Sequence, residues 1–202
     1  MTTSQEPGRS RGGRQDEIDD AAKRIAFTSG LSGITLRRLS ATVGVEPGVI
    51  AQHEPSITSL VARIFEELAN DEREQTAREI AVPGTPLEAM RVLVESLLDT
   101  SHDGFNSVWA DAWSLGRHNA PLARAARESM AAWNTLVLDL VARGIASGDF
   151  CDIDPDLVAM QFLSLIDSTT AYSLVGYRTA DDRARLIRRT LEITLGLDEG
   201  SL

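Results

Sequence analysis

Apolar side chains recur at helical spacing along almost the whole chain. Ile18, Ala21, Ala22, Ile25 and Ala26 form one face of a helix over about 15 to 29, closed by Ser29 and Gly30, where glycine accepts the left-handed conformation of a helix end. Thr35 offers the hydroxyl of an N-cap, and Leu36, Leu39, Ser40 and Val43 follow on one face before Gly44, which predicts a short second helix. Pro47 suits the first turn of a third helix, where a missing N–H costs nothing, and Pro55 ends it. Ser56 caps a longer fourth helix containing Leu60, Ile64 and Leu68, terminated by the run Pro83, Gly84, Thr85, Pro86. Further helices are predicted at about 86 to 100, 104 to 117, 121 to 146, 154 to 176 and 181 to 196. Strand-like alternation is nowhere sustained and no segment repeats, so the expected fold is all-α with about nine helices.

The segment 154 to 176 is apolar nearly all round: Leu157, Val158, Met160, Phe162, Leu163, Leu165, Ile166, Ala171, Tyr172, Leu174 and Val175 cover every face. Such a helix must be buried on several sides. The last helix sets Ala184, Ile187, Leu191 and Thr194 on one side. Two readings stand level: both helices close the core of one chain, or together they supply half of a four-helix interface to a second copy.

Composition narrows the class. The chain has 202 residues, 43% of them hydrophobic and 25% charged, ordinary values for a globular protein with a real core. The single Cys151 excludes an internal disulfide and a cysteine-based zinc site, and suits a reducing cytoplasm. No signal-like apolar segment precedes the first helix and no run reaches the length of a membrane span, so no membrane partner is expected. Net charge is −10, which by itself argues against nucleic acid. Its distribution reverses that argument: residues 1 to 60 hold seven bases and seven acids, so the remaining residues carry the whole excess. The bases gather in an arm (Arg9, Arg11, Arg14) and at the start of the second helix (Arg37, Arg38).

Two short helices joined by a tight glycine turn and braced by a third are what a chain needs to lay a helix in the major groove. The residues Ile18, Ala21, Ala22, Ile25, Gly30, Leu31, Ile34, Thr35, Leu36, Leu39, Ser40, Val43, Gly44, Val45, Pro47, Gly48, Ile50, His53, Pro55, Ser56 and Leu60 resemble, in order and spacing, the N-terminal domain of TetR-family transcriptional regulators. Trp109 to Trp113, Ala120 to Leu122, Trp133, Gly144 to Phe150, Asp154, Pro155 and Leu165 to Ser168 are similar to the BetI-type C-terminal domain of that family.

The Gly- and Arg-rich start reads as a flexible basic arm at 1–14, and the resemblance implies a helix-turn-helix DNA-binding domain at 15–60 and a ligand-binding and dimerisation domain at 61–200. It implies a homodimer that binds a palindromic operator in double-stranded DNA and responds to a small-molecule effector, in the first place as a repressor, with no cofactor or metal. By position it carries DNA contacts to Thr35, Arg37 and Arg38, and to Pro47, Gly48, Val49, Gln52 and His53. Three of these also have a reading of their own. Arg37 and Arg38 oppose the helix dipole at a helix start, which favours phosphate contact over mere solvation. Gln52 has the amide for a bidentate bond to adenine.

The same segment also departs from the family. Where relatives commonly have a polar residue, then Leu-Tyr-Tyr-His-Phe and later Lys, this chain has Val49, Ile50, Ala51, Gln52, His53, Glu54 and Ile57. Ala51 and Ile57 lack the phosphate-binding groups of a Tyr and a Lys, and Glu54 would be repelled if it faced the backbone. These departures favour a second reading, a helical small-molecule-binding dimer with weak or lost sequence-specific DNA binding. Thr35, Arg37, Pro47 and Gly48 favour the regulator.

The resemblance also sets a pocket between the helices at 86 to 146 and that at 154 to 176, with Trp109, Trp113, Trp133, Phe162 and Asp167 as candidates to line it. Asp167 interrupts an apolar helix, and a buried carboxylate is costly unless paired. A neighbouring amide, His118 or a cationic ligand beside the tryptophan faces would satisfy it, and the structural pairing is the preferred expectation. An enzyme is not expected: His53, His102 and His118 are scattered, and no nucleophile triad, carboxylate pair or phosphate-binding glycine loop is marked by spacing.

Overall fold

The computed structural model describes residues 11–99 and 103–202. Among the described residues the chain is all-α, with nine α-helices and no strand. They are α1 (Arg11–Ser29), α2 (Leu36–Val43), α3 (Pro47–His53), α4 (Ile57–Ile80), α5 (Pro86–Leu98), α6 (Asp103–Gly116), α7 (Ala120–Ser147), α8 (Pro155–Leu174) and α9 (Ala180–Leu195), with a single 3-10 turn at Leu31–Gly33.

The helix ends follow from local chemistry. Thr35 Oγ1 accepts the Arg38 N–H at 3.3 Å, satisfying one orphan donor of α2. Gly44 closes α2 at φ 78°, a conformation that strains any residue with a Cβ. Pro47 opens α3, Ser56 caps α4 through the Ser59 N–H at 3.2 Å, and Thr85 forms a capping box with Glu88 at the start of α5. One boundary differs. The helix α1 starts at Arg11, so residues 11–14, assigned above to the arm, form its first turn, helped by the Arg14–Glu17 ion pair one turn apart. The rest of the arm, with Arg9, lies outside the described residues.

Two hydrophobic cores organise the chain. The first joins α1, α2, α3 and the front of α4, through Ile18, Ile25, Leu39, Ile50, Leu60 and Phe65, to Val108 and Ala112 of α6 and Leu122 of α7. The second joins α5, α7, α8 and α9, through Met90, Leu93, Val137, Leu140, Phe162, Ile187 and Leu191. No clean break falls at residue 60: α4 runs through it, and α7 packs against α4, α5, α6 and α8.

The helix α8 is not buried on all sides within one chain. Val158, Ala159 and Phe162 are buried, while Leu157 (51% exposed), Met160 (54%), Tyr172, Leu174 and Val175 (77%) are open, continuing onto Leu186 and Ile193 of α9. Apolar side chains on a shared uncovered face exceed what a lone exposed Leu signifies.

Candidate functional site

The head presents its candidate DNA contacts outward. Ile50 is fully buried and anchors α3, with Val49 and His53 half-buried beside it, while Pro47, Gly48, Ala51 and Gln52 are exposed. Gly48, Ala51 and Gln52 are three and four residues apart and therefore share one helix face. At the start of α2, the cap Thr35 and the next two candidates, Arg37 and Arg38, are exposed. Thr35 is already engaged as the cap.

Two of the three departures expected to harm this surface, Glu54 and Ile57, are turned inward. Glu54 is largely buried and pairs with Arg63 of α4, also accepting from the Gln15 amide. Arg63 in turn grips Asp19 of α1 with both terminal nitrogens, at 2.6 and 2.9 Å. These carboxylates, Asp19 foremost, raise the guanidinium pKa further. Glu54 is thus an internal tie between α3, α4 and α1, not a repulsive charge on the outer face. Ile57 is half-buried against the first core. Neither arrangement was readable from spacing, because the partner of Glu54 lies nine residues on and in another helix. Ala51 puts no polar side-chain group on the exposed face of α3.

The second site is a cavity of about 380 Å³ between α4, α6, α7 and α8. Trp109 and Trp113 line it from α6, Trp133 from α7 and Asp167 from α8. The two rings on α6 lie 6.0 Å apart, tilted by 36°. Phe162 is not in its wall: it is fully buried in the second core, on the far side of α8 from Asp167 at a spacing of five residues. Beyond the residues expected from sequence, Glu72 reaches the cavity from α4 and accepts the Trp109 indole N–H at 3.0 Å, and Asn106, Met130, Asn134 and Met160 also line it. A wall residue contributed from α4 leaves no local signal.

Asp167 has neither of its expected structural partners. It makes no hydrogen bond or ion pair with any described residue, and His118 is exposed elsewhere and absent from the cavity wall. Burial alone pushes its carboxyl up to about 6, since nothing nearby stabilises the charge.

The helix α6 ties cavity to head. Its Asp111 carboxylate accepts the Ser32 N–H at 3.0 Å, Phe105 meets Phe27 of α1 edge to face at 5.0 Å, and Trp109 meets Phe65 of the first core in the same way at 5.0 Å. Trp109 borders both cores.

A helix-turn-helix head carried on a larger helical domain with an internal cavity defines a class of DNA-binding regulator. The model of the BetI-type transcriptional repressor C-terminal domain matches residues 86–196, and the chain belongs to that branch of the TetR family. Solved structures agree on the fold. A protein described as a transcriptional regulator from Saccharomonospora viridis, in complex with choline, superposes with a TM-score of 0.81 at 19% identity over 90% of this chain and 96% of that one. A TetR transcription regulator from Haloarcula marismortui gives 0.76 at 15% identity over 92% and 97%. FadR from Bacillus subtilis, in complex with stearoyl-CoA, gives 0.69 at 18% identity over 89% and 97%. No curated protein sequence matches the chain. No helix among the described residues is long and apolar enough to cross a membrane.

Proposed function

We propose that this chain is a ligand-responsive transcriptional regulator, acting in the cytoplasm as a repressor, that binds a palindromic operator as a homodimer and releases it when a small molecule fills the cavity. The observation that carries the reading is the double role of α6: the helix that contributes Trp109 and Trp113 to the cavity also holds the head through Asp111, Phe105 and Trp109. A ligand that shifts α6 changes the pose of the head, and a change in DNA affinity then follows from the differential contacts of the two states. The open apolar face of α8 and α9 supports assembly of two chains with twofold symmetry, and two heads on one axis read a palindrome.

On the DNA side, Arg37 and Arg38 are the cations of the second helix, and Gly48, Val49, Gln52 and His53 with Pro47 and Thr35 form the surface offered to the groove. With Ala51 in place of a hydroxyl-bearing side chain, this head makes fewer phosphate contacts than its relatives do. That same residue favours the second reading, a ligand-binding dimer that reads no sequence. Selection from random duplexes at low salt separates the two. An enriched palindrome is expected for the full-length protein; the absence of any enriched motif, with ligand binding intact, would establish the second reading instead.

A further inference from the structure

The structural neighbours hold ligands as unlike as choline and stearoyl-CoA, so kinship does not name the effector, and the cavity wall must. It has three tryptophans, all that the chain contains, two carboxylates, Asp167 and Glu72, and no Lys, Arg or His among its described residues. From this we infer that the effector is an organic cation with an apolar or aromatic body, its positive centre lying against Asp167 among the rings of Trp109, Trp113 and Trp133. The inference deepens the regulator reading by naming its ligand class.

Three features support it. Asp167 is a half-buried carboxylate with no partner among the described residues, and a group in that position is stabilised when a counter-charge arrives. Its neighbours are indole faces, whose negative quadrupole attracts a cation and does so more strongly out of water. Glu72 adds a second carboxylate, which accepts the Trp109 indole N–H at 3.0 Å and so stands at the cavity wall. An anionic ligand would meet two carboxylates and no described cation. A neutral ligand without a hydrogen-bond donor would leave the burial cost of Asp167 unrelieved. The volume, about 380 Å³, lies in the range of drug-sized sites and leaves room for more than a bare ammonium group.

Every tryptophan of the chain lies on the cavity, so selectively excited tryptophan fluorescence reports on its wall. The test titrates the full-length protein, without DNA, with phenyltrimethylammonium, its neutral carbon isostere tert-butylbenzene, and benzoate. The cation is expected to bind at least tenfold tighter than the isostere, and benzoate weakest. In Asp167→Asn the cation should lose at least tenfold while tert-butylbenzene changes by less than threefold. Equal or tighter binding of the isostere or of benzoate by the parent protein overturns the inference without any variant. Unchanged cation affinity in a folded Asp167→Asn protein overturns it as well. Failure here leaves the regulator reading untouched if a palindrome is still selected; failure of selection leaves the cation site standing if these titrations succeed.

Discussion

Asp111 and Ser32 stand 79 residues apart in sequence and meet in one hydrogen bond, the Asp111 carboxylate accepting the Ser32 N–H at 3.0 Å. The same carboxylate lies against Gly30, where a Cβ would come within 2.4 Å of it. Gly30 also has φ 73°, so two independent restraints exclude a side chain there. Asp111 is flanked on α6 by Trp109 and Trp113 of the cavity wall. On the regulator reading proposed above, its bond is the mechanical path from cavity to head. Asp111→Ala is expected to leave phenyltrimethylammonium affinity within threefold of the parent while the loss of operator affinity on adding that ligand shrinks toward none. Because coupling is reciprocal, operator DNA should then cease to weaken the ligand. Measuring both legs of the cycle checks it; an undiminished coupling factor would show that α6 acts through Phe105 and Trp109 instead.

Glu54 provides a test with an unusual sign. If it repelled DNA, its removal would tighten binding. Because it pairs inward with Arg63, Glu54→Ala should instead leave DNA affinity no better and lower stability by about 1 kcal/mol for a partly buried charge-assisted bond. Chemical denaturation and a binding isotherm on the same sample decide between the two, and tightening by tenfold would restore the repulsive reading.

Arg37→Ala is expected to weaken binding to all duplexes alike and to make the salt slope shallower by about one unit, the signature of a lost phosphate contact. Ala51→Tyr should tighten binding by about 1 kcal/mol without altering base preference, since phosphate contacts position the helix and specify nothing. A slope unchanged in Arg37→Ala would move that residue off the phosphate backbone.

Much of this was legible in the chain. Thr35, Gly44, Pro47, Ser56 and Pro86 mark helix ends by backbone chemistry that operates within a few residues, and the structure puts the ends there. What depends on distant partners was not legible. Glu54 looks like a surface acid until Arg63 is beside it, and Glu72 looks like one of many acids on a charged helix until α6 brings Trp109 to it. Phe162 and Asp167 were assigned together because both lie on α8, yet one faces the second core and the other the cavity. An apolar pattern all round α8 could not say whether its outer face was covered by the same chain; Leu157, Met160 and Val175 are uncovered.

That outer face makes dimerisation checkable. Sedimentation at micromolar concentration should show one species near twice 21.9 kDa. Leu157→Glu together with Ile193→Glu, which set charges on exposed positions of α8 and α9, should yield a folded monomer with operator affinity reduced at least a hundredfold. A parent protein that is already monomeric would remove the two-headed reading of DNA.

Asp167 ties stability and binding to pH in opposite directions. Its carboxyl has an ordinary value of 3.8 and is held at about 6 in the folded chain by burial, so the folded state binds the proton more tightly than the unfolded one. Its favourable contribution is therefore complete below about pH 4 and is lost as pH rises through about 6. Above that, the ionised group is a burden on the order of 2–3 kcal/mol. Asp167→Asn removes the burden, and its melting temperature at pH 7.5 should exceed that of the parent, the difference closing toward pH 4. A bound cation reverses the preference by stabilising the carboxylate. Phenyltrimethylammonium should thus bind the parent more tightly as pH rises from 5 to 7 and level off above, releasing a proton as it binds. Glu72 is the other titratable group among the described residues of the cavity wall, so the same titrations on Glu72→Gln identify which carboxylate is responsible. A pH dependence that survives in Asp167→Asn and vanishes in Glu72→Gln would move the counter-charge from α8 to α4.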